Sequence, residues 1–422
     1  MAFVIKFIKG VRNHWKKSTF LAIALAYGTN YTNEYYQTQK LMLEYCKQAK
    51  TYGEQTIPVA QDLRNITVIL NPNANRRKAT KLFESYCSPI LHLAGICITL
   101  IQTQSEGHAK TLVEELKQTD AIIIAGGDGT LSEVVTGLMR RPDNNDMLNT
   151  CPIGILPLGR SNTFASALFP AGETLKTVTA LADAAMAVVK ENTKMVDVMK
   201  IEVIADDESS NKPVYAVGEL EWGAYRDAHA KRDKYWYFGS LRNYVTYIFN
   251  GYKSGLSWDC VADIKYSPPC EGCQNCYVKT EAPTTNKRWW SSFTLSQQKP
   301  NVLASEKDYS NILNESCAQL HQKQITTSDF VLKTSTLDNN RTSQLNLTLG
   351  PSSLSYFDFV SQGWQFEKGE SRKIEENIKL KQIEILPKVD ENKELWFSID
   401  QEDYEVKPVK ITLLPKKLKV FC

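Results

Sequence analysis

The feature that most constrains the fold is a regular alternation of two kinds of segment between residues 66 and 190. Short apolar runs rich in β-branched residues, which are typical of buried strands, occupy 66–72, 96–103, 120–127 and 151–159. Segments with apolar residues at helical spacing occupy 78–95, 106–116, 130–141, 161–169 and 174–190. Strands that alternate with helices of this length predict an α/β domain with a parallel sheet covered on both faces.

Beyond about residue 194 the pattern changes, because strand-like runs follow one another with few helical segments between them. These runs lie at 195–205, 213–224, 256–267, 329–336, 344–350, 378–386, 394–400 and 409–415. Only the segment 233–249 has helical spacing. The pattern predicts an antiparallel β-sandwich domain. The polar, aperiodic segment 268–325 is predicted to be a flexible surface insertion in it.

The N-terminal segment, residues 1–60, differs from both domains, which are predicted to cover 61–193 and 194–422. Residues 1–33 contain five basic side chains and no acidic one, and the apolar residues before Trp15 fall largely on one helical face. Such a start is typical of a mitochondrial targeting segment or an interfacial membrane anchor. The alternative is an N-terminus that carries no targeting signal. The apolar run at 20–28 is shorter than the roughly 20 residues that span a bilayer, so membrane association is favoured over spanning.

The net charge and its distribution indicate whether the chain binds nucleic acid. A net charge of +3 is small for 422 residues, and the chain has no long basic stripe with interleaved aromatic residues. Such a stripe is the electrostatic footprint of a nucleic-acid-binding protein. Nucleic acid is therefore not predicted as a partner.

Three of the ten cysteines stand close together in the segment PPCEGCQNCY, at Cys270, Cys273 and Cys276. Two overlapping C-x-x-C pairs can bind zinc, can form a disulfide in an oxidising compartment, or can lie in an exposed loop without either role. No fourth zinc ligand is visible nearby, and Cys317 and His321 are distant candidates. The sequence leaves the three alternatives open.

Small or polar residues follow each of the four predicted strands of the α/β domain. They are Asn71–Pro72, Thr103, Gly126–Thr130 and Pro157–Asn162. Ligands of doubly wound sheets bind beyond the carboxyl ends of the strands, so these residues are expected at one edge. Glycines let the backbone approach a ligand, and N–H groups at a helix start face an anion. The edge therefore predicts a polyphosphate site.

Asp128 is unusual among these glycines, because a carboxylate repels phosphate unless it holds a metal or takes up a proton. Neither the Walker-type P-loop nor the dinucleotide motif is present. We therefore expect Asp128 to take part in the chemistry. The alternative is a turn or N-cap residue.

These motifs resemble a known family. The sequence GGDGTLSEVV at 126–135, together with Asn71-Pro72 and P-L-G-x-x-N at 157–162, resembles the diacylglycerol-kinase catalytic family. That family includes sphingosine, ceramide and bacterial lipid kinases, and its nucleotide fold is related to that of NAD kinases and phosphofructokinases. Segments similar to a mitochondrial, multi-substrate branch of this family lie at 12–17, 88–95, 233–239 and 397–405.

The resemblance implies an active site in an interdomain cleft, with ATP and Mg²⁺ as cofactors. Arg242 would counter phosphate charge, and Glu133 would stand behind the phosphate path. The residues implied in nucleotide binding are Asn71, Thr103, Gly127, Gly129, Thr130, Glu133, Gly159, Ser161, Asn162 and Arg242.

The same resemblance implies the residues at the reacting hydroxyl. Asp128 would act as general base or orient the acceptor hydroxyl. Asp400 and Glu402 stand where related kinases carry a carboxylate pair, Asp400 near the metal and Glu402 near the reacting group. Asp227 and His229 would lie at the lipid head group.

Several positions depart from the family pattern. Gln401 replaces a glycine between the two acids, and Arg160 and Thr163 replace a threonine and an aspartate. His229 stands where sphingosine kinases carry an acid, which favours a neutral glycerol acceptor. The loop after the first strand lacks a glycine, and its basic residues 76–78 either neutralise phosphate or face solvent.

The implied activity is ATP-dependent phosphorylation of mono- and diacylglycerol to lysophosphatidic and phosphatidic acids. The implied location is the mitochondrion, at the inner membrane facing the intermembrane space. The resemblance also implies membership of the inner-membrane carrier translocase, a structural role that can coexist with the kinase. A ceramide or sphingosine kinase is the third alternative.

Overall fold

The computed structural model describes residues 14–55, 63–117, 119–170, 175–204, 212–253, 260–270, 273–274, 312–315, 317, 319–335, 343–388 and 394–422. Residues 1–13, Cys276 and most of the predicted insertion 268–325 lie outside the described residues. The chain divides into two compact units. Unit 1 comprises Met1–Val196, Tyr215–Gly218 and Lys416–Cys422, and unit 2 comprises Asp197–Val214 and Glu219–Pro415.

Unit 1 is built on a parallel sheet with the strand order β2-β1-β3-β4. Its strands are β1 (Asn65–Leu70), β2 (Cys97–Gln102), β3 (Ala121–Gly126) and β4 (Ile153–Pro157). Every residue of β3 is buried, as expected for a central strand covered on both faces. The predicted α/β domain is confirmed. Val420 extends the sheet by pairing with Ile153, and for this reason the last residues of the predicted β domain belong to unit 1.

Helices connect these strands where the apolar periodicity predicts them. The predicted helix at 78–95 contains a π-helical turn, Phe83–Cys87, between α2 (Ala79–Leu82) and α3 (Ser88–Leu93). The remaining helices after β2 are α4 (His108–Glu114), α5 (Asp128–Arg140), α6 (Asn144–Thr150), α7 (Thr163–Leu168) and α8 (Lys176–Lys190). Leu181, Ala185 and Val188 of α8 join the buried core of the sheet.

A long helix, α1 (Trp15–Gly53), precedes the sheet. Its C-terminal half packs on the other helices of unit 1, where Ala49 is buried and the Tyr45 hydroxyl donates a hydrogen bond to Asp183 at 2.5 Å. Burial and this bond raise the pKa of Tyr45. Its N-terminal half exposes large apolar side chains: Trp15, Phe20, Leu21, Ile23, Leu25, Tyr27, Tyr31, Tyr35 and Tyr36. Across the described ranges, no helix has the length and apolarity needed to cross a bilayer.

Unit 2 contains a separate six-stranded antiparallel sheet with the order β12-β11-β10-β7-β14-β15, which confirms the antiparallel β region that the sequence predicts. The other strands of unit 2, in the order β9-β8-β13-β16, also pair antiparallel and belong to a ten-stranded mixed sheet that includes β1 to β4. The strands are β7 (Glu219–Gly223), β8 (Cys260–Ser267), β9 (His321–Thr327), β10 (Asp329–Thr334), β11 (Leu345–Leu349), β12 (Glu376–Leu380), β13 (Gln382–Pro387), β14 (Trp396–Ile399), β15 (Glu402–Glu405) and β16 (Val409–Phe421). Strands β5 (Thr193–Val203) and β6 (Val214–Ala216) contain residues of both units.

The helices of unit 2 differ from the single helix that the sequence predicts at 233–249. That segment is a 3₁₀ stretch, Arg232–Leu241, followed by α10 (Arg242–Lys253), because Gly239 adopts a left-handed backbone. A short helix, α9 (Ala224–Ala230), precedes it. Helix α11 (Tyr356–Glu367) was not predicted from the sequence, because its aromatic residues favour strands on propensity alone. The signal for its start was the S-x-x-D cap, in which Ser355 accepts a bond from the Asp358 N–H.

Candidate active site

Two glycines bring the loops after β3 and β4 of unit 1 together. A Cβ atom built on Gly159 would lie 2.2 Å from the Cα of Gly127, and one built on Gly127 would lie 2.8 Å from the Ser161 carbonyl oxygen. Side chains other than hydrogen cannot occupy these positions, because the obstructing atoms belong to the backbone. The two loops therefore lie in backbone contact at the carboxyl edge of the sheet, where their N–H groups can face a phosphate.

Asp128 begins α5 directly after this contact and is 5% exposed. Its Oδ2 accepts a hydrogen bond from the Thr163 N–H at 2.8 Å, and its Oδ1 accepts one from the Phe164 N–H at 3.3 Å. The carboxylate thus satisfies two N–H groups in the first turn of α7, a distant helix, whereas the N-cap residue of its own helix is Gly127. The Asp128 N–H donates to the Ser161 carbonyl at 3.2 Å. These bonds fix the orientation of the carboxylate beside the two glycines.

Asn162 shapes the loop after β4. Its Oδ1 accepts a bond from the Gly159 N–H at 2.9 Å, and its Nδ2 donates to the Gly159 carbonyl at 3.0 Å. This ring of two bonds holds the turn in which Arg160 and Ser161 lie. The predicted residues Gly159, Ser161 and Asn162 are therefore brought together with Gly127 and Asp128.

Asn71 and Thr130 meet across the ends of β1 and β3. The Asn71 Nδ2 donates to the Thr130 Oγ1 at 3.2 Å, and the Asn71 Oδ1 accepts from the Asn73 N–H at 3.0 Å. Thr130 follows Gly129 in the first turn of α5 and is buried. Thr103, also buried, lies at the end of β2, where its N–H donates to the Leu70 carbonyl at 2.9 Å. The four strand ends thus share one edge, as predicted.

Glu133 links α5 to the loop after β2. Its two carboxylate oxygens accept bonds from the N–H groups of Gly107 at 2.9 Å and Ala109 at 3.0 Å. Gly107 has a left-handed backbone and directly precedes α4. Glu133 therefore caps α4 and holds the loop that begins at Thr103, which is a positioning role.

The loop after β1 lacks a glycine and has a strained backbone. Three consecutive residues without glycine, Asn75, Arg76 and Arg77, have φ values of 49°, 55° and 64°. Left-handed conformations cost such residues on the order of 1–2 kcal/mol each. Strain of this kind concentrates at ligand-binding loops, so this turn is a further candidate for contact with the nucleotide.

In unit 2, Asp400 lies in the tight turn between β14 and β15, and Glu402 directly follows this turn. Ile399 pairs with Glu402, and Asp400 and Gln401 between them have φ values of 47° and 70°. Gln401 therefore adopts a left-handed backbone, the conformation that glycine favours. Asp400 is 4% exposed, and its Oδ1 accepts a bond from the Glu219 N–H at 2.9 Å. The Tyr404 hydroxyl donates to Glu402 at 3.2 Å.

The other predicted residues of unit 2 lie around α9 and α10. Asp227 forms an ion pair with Arg226 at 2.9 Å, and the ring nitrogen of His229 contacts Arg232. Arg242 forms an ion pair with Asp233 at 3.4 Å and is largely buried. Each of these predicted side chains therefore has a charged neighbour within unit 2.

Sequence similarity now identifies the family. The diacylglycerol kinase catalytic domain family matches residues 65–201, and the acylglycerol kinase C-terminal family matches residues 217–422. The chain is 34% identical over 420 residues to the mitochondrial acylglycerol kinase of Homo sapiens, which covers 99% of this chain and 96% of that protein. The chain belongs to the acylglycerol kinase family. It is a lipid kinase.

Two further comparisons, one of sequence and one of structure, relate this acylglycerol kinase family member to other kinases. Sphingosine kinase 1 of Homo sapiens is 31% identical over 181 residues, 42% of this chain and 46% of that protein. The structure of a putative diacylglycerol kinase from Bacillus anthracis superposes with a TM-score of 0.50 at 15% identity, covering 86% of this chain and 98% of that chain. The structural similarity shows the shared fold.

Sequence reasoning missed a buried charge network in unit 2 of this acylglycerol kinase family member. Arg372 forms ion pairs with Asp329 at 3.0 Å and with Glu221 at 3.2 Å, and Lys333 pairs with Glu219 at 2.6 Å. Burial raises the pKa of Asp329 to about 6. Burial and the nearby Glu221 raise the pKa of Glu219, whose N–H holds Asp400. The acids alternate with apolar residues along β7. This alternation was the signal in the sequence for a polar face on that strand.

Proposed function

We propose that this protein transfers the γ-phosphoryl group of ATP to the free hydroxyl of monoacylglycerol and diacylglycerol. The products are lysophosphatidic and phosphatidic acid. The observation that carries the proposal is the backbone contact of Gly127 with Gly159, with the Asp128 carboxylate fixed beside it. Phosphoryl transfer needs positioning and charge neutralisation more than covalent help from the protein.

Phosphates would lie on the backbone N–H groups around Gly127, Gly129 and Thr130. These groups stand at the start of α5, a helix of 13 residues whose dipole favours negative charge. The turn held by Asn162, which presents Ser161, would form the opposite wall. Asn71 and Thr103 would contact the nucleotide from the ends of β1 and β2. Glu133 would act indirectly, by holding the loop after β2 through Gly107.

Asp128 would accept the proton of the lipid hydroxyl or orient that hydroxyl for attack. An ionised carboxylate has about four lone-pair sites, so N–H bonds from Thr163 and Phe164 and the acceptance of a lipid hydroxyl are compatible in one group. The bonds from Thr163 and Phe164 hold the carboxylate in place for that role. The capping role and the catalytic role are therefore compatible in one side chain.

From unit 2, we assign Asp400 and Glu402 to the reaction and Asp227, His229 and Arg242 to the lipid head group and phosphate. Carboxylate oxygens are the donors that Mg²⁺ prefers, so the buried Asp400 fits a magnesium ligand. A bound Mg²⁺ would neutralise charge on the phosphate oxygens. The left-handed turn at Asp400 and Gln401 sets the direction in which the two acids project.

The test is transfer of labelled phosphate from ATP to a panel of lipids in detergent micelles. We expect product from monoacylglycerol and diacylglycerol and much less from ceramide or sphingosine. Asp128→Asn should lower turnover by about 10²–10⁴-fold. The matched control is Asp120→Asn, because Asp120 also accepts a backbone N–H, from Asn65 at 2.7 Å, but lies at the opposite end of β3. Equal turnover of the two variants would contradict the assignment, and a preference for sphingosine would favour a sphingosine kinase.

We further propose that the protein works in the mitochondrion, on the inner membrane facing the intermembrane space. The relatives named mitochondrial acylglycerol kinase support the mitochondrion. The exposed apolar residues of the first half of α1 and the basic residues before it suit an interfacial anchor. Flotation with cardiolipin-containing vesicles should recover the full chain, and Phe20→Glu with Ile23→Glu should abolish recovery. Undiminished recovery of the double variant would contradict the anchor.

A second proposed role is structural, as a subunit of the inner-membrane carrier translocase. The exposed half of α1 offers an apolar surface for a neighbouring subunit as well as for lipid. An assembly role should survive Asp128→Asn, whereas lipid phosphorylation should not. Co-purification of translocase subunits with both wild type and Asp128→Asn would support it, and their absence from both would contradict it.

A further inference from the structure

The register of β8 and β9 brings two distant cysteines to one end of unit 2. These strands pair antiparallel, with Cys260 opposite Thr327 and Tyr266 opposite His321 at the far end. Cys270 follows Tyr266 by four residues, and Cys317 precedes His321 by four. Continuation of the register therefore places Cys270 opposite Cys317, although the segment 271–316 separates them along the chain.

Three cysteines meet at this point. The sulfur atoms of Cys270, Cys273 and Cys317 all lie within 4.8 Å of one another. Cys273 is fully buried, Cys317 is buried, and Cys270 is half-buried. The Cys276 of the predicted cluster lies outside the described residues. The ring of His321, the other distant candidate, lies over Tyr266 at 5.4 Å between centroids, and the cluster forms without it.

The backbone around the cluster is held by its own hydrogen bonds. The Gln274 N–H donates to the Ile312 carbonyl at 2.9 Å, and the Cys317 N–H donates to the Asn314 carbonyl at 3.1 Å. The Asn314 Nδ2 donates to the Cys270 sulfur at 3.3 Å. Outer hydrogen bonds to a ligand atom are typical of metal sites, because they orient the ligand and stabilise its charge.

We propose that Cys270, Cys273 and Cys317 bind a structural Zn²⁺ ion as thiolates. A C-x-x-C pair and a third cysteine from a distant segment supply three of the four positions of tetrahedral zinc, and a water molecule would complete the fourth. Tetrahedral zinc with Zn–S bonds of about 2.3 Å separates its sulfur ligands by about 3.8 Å, which the cluster can accommodate. A disulfide would join only two of the three sulfurs and leave the third beside it. Binding displaces the three thiol protons to solvent.

All-sulfur ligation selects zinc, copper(I) or an iron–sulfur cluster over the hard cations that kinases use. Zinc is the assignment because the three thiolates fit a tetrahedral ion without requiring redox chemistry or additional sulfide. The ion would join the two ends of the segment 271–316, next to the pair Tyr266–His321 from which the connection between β8 and β9 leaves. This site is separate from the residues proposed for phosphoryl transfer, so its loss would not depend on the kinase assignment.

The test is the metal content of untagged full-length protein, purified anaerobically without chelators and measured by inductively coupled plasma mass spectrometry. We expect about one zinc per chain in wild type and in Cys97→Ser, which removes an exposed cysteine of β2. Cys270→Ser, Cys273→Ser and Cys317→Ser should each lower zinc affinity by about tenfold or more, as competition with a chromophoric chelator measures. Zinc retained with unchanged affinity in all three variants would overturn the proposal.

A second measurement tests the zinc site in wild-type protein, so it does not depend on whether a variant folds. Cobalt(II) added to metal-depleted wild-type protein should produce a thiolate-to-cobalt charge-transfer band that zinc abolishes. The proposal would be overturned if wild-type protein contained no zinc and also gave no such band with cobalt(II). A mass two hydrogens lower under non-reducing conditions, without metal, would identify a disulfide instead. Iron or copper in place of zinc would likewise overturn the assignment.

Discussion

The Cα of Gly127 lies so near Gly159 that a Cβ atom on Gly159 would stand 2.2 Å from it. Two glycines at the ends of different strands therefore depend on each other. One loop cannot carry a side chain at its glycine without displacing the other. The family motifs around residues 127 and 159 are thus two parts of one backbone structure.

We predict that Gly159→Ala destabilises unit 1 by about 1–3 kcal/mol, because the added methyl group meets backbone atoms that have no alternative position. Thermal unfolding and nucleotide affinity should both decrease. Gly28→Ala in α1 is the control, since no atom lies within 4 Å of the added carbon. Unchanged nucleotide affinity in Gly159→Ala would contradict the phosphate site.

The stability of Asp128→Asn gives a second prediction, separate from its activity. An amide has one acceptor oxygen, so the variant keeps only one of the bonds from Thr163 and Phe164. We expect a loss of about 1 kcal/mol in unfolding free energy, measured by urea titration. A loss of several kcal/mol would show that the variant perturbs the fold, and its inactivity would then not establish a catalytic role.

We expect Gln401→Gly to raise the unfolding free energy of unit 2 by about 0.5–1 kcal/mol. A left-handed residue other than glycine costs on the order of 1–2 kcal/mol, and the greater freedom of unfolded glycine offsets part of the gain. The φ of 70° at Gln401 makes this position suitable. Thermal unfolding provides the measurement. A lower midpoint in Gln401→Gly would show that the glutamine side chain stabilises the turn.

Asp329 makes the stability of unit 2 depend on pH. Its native pKa of about 6 exceeds the ordinary value of 3.8, so the folded protein binds this proton more tightly than the unfolded chain does. The stabilising contribution of the protonated group is complete below pH 4 and is lost as the pH rises through 6. Relative to wild type, Asp329→Asn should therefore become more stable between pH 4 and pH 7.

This prediction is measured as the difference in unfolding midpoint between Asp329→Asn and wild type at several pH values. A constant offset is expected in addition, because the amide of the variant replaces the protonated carboxyl group in its contact with Arg372. Only the trend with pH reports the proton. A difference that stays constant or falls with rising pH would contradict the raised pKa.

The sequence by itself determined the local secondary structure and the types of side chain that follow each strand. Buried parallel strands leave continuous β-branched runs, and helices leave a 3.6-residue period, so β1 to β4 and their helices were predictable. The same reasoning found Gly127, Asp128 and Gly159, because turn chemistry is encoded within a few residues. It failed for α11, where aromatic side chains obscure the helical period.

Only the tertiary structure decided which distant residues meet. Glu133 caps the helix after Gly107, Arg372 joins Asp329, and Cys270 comes to Cys317 through the register of two strands. No local pattern contains these partnerships, because strand register and helix packing are set by the burial of whole faces. The sequence supplied the reactive groups, and long-range packing gave each of them its neighbour.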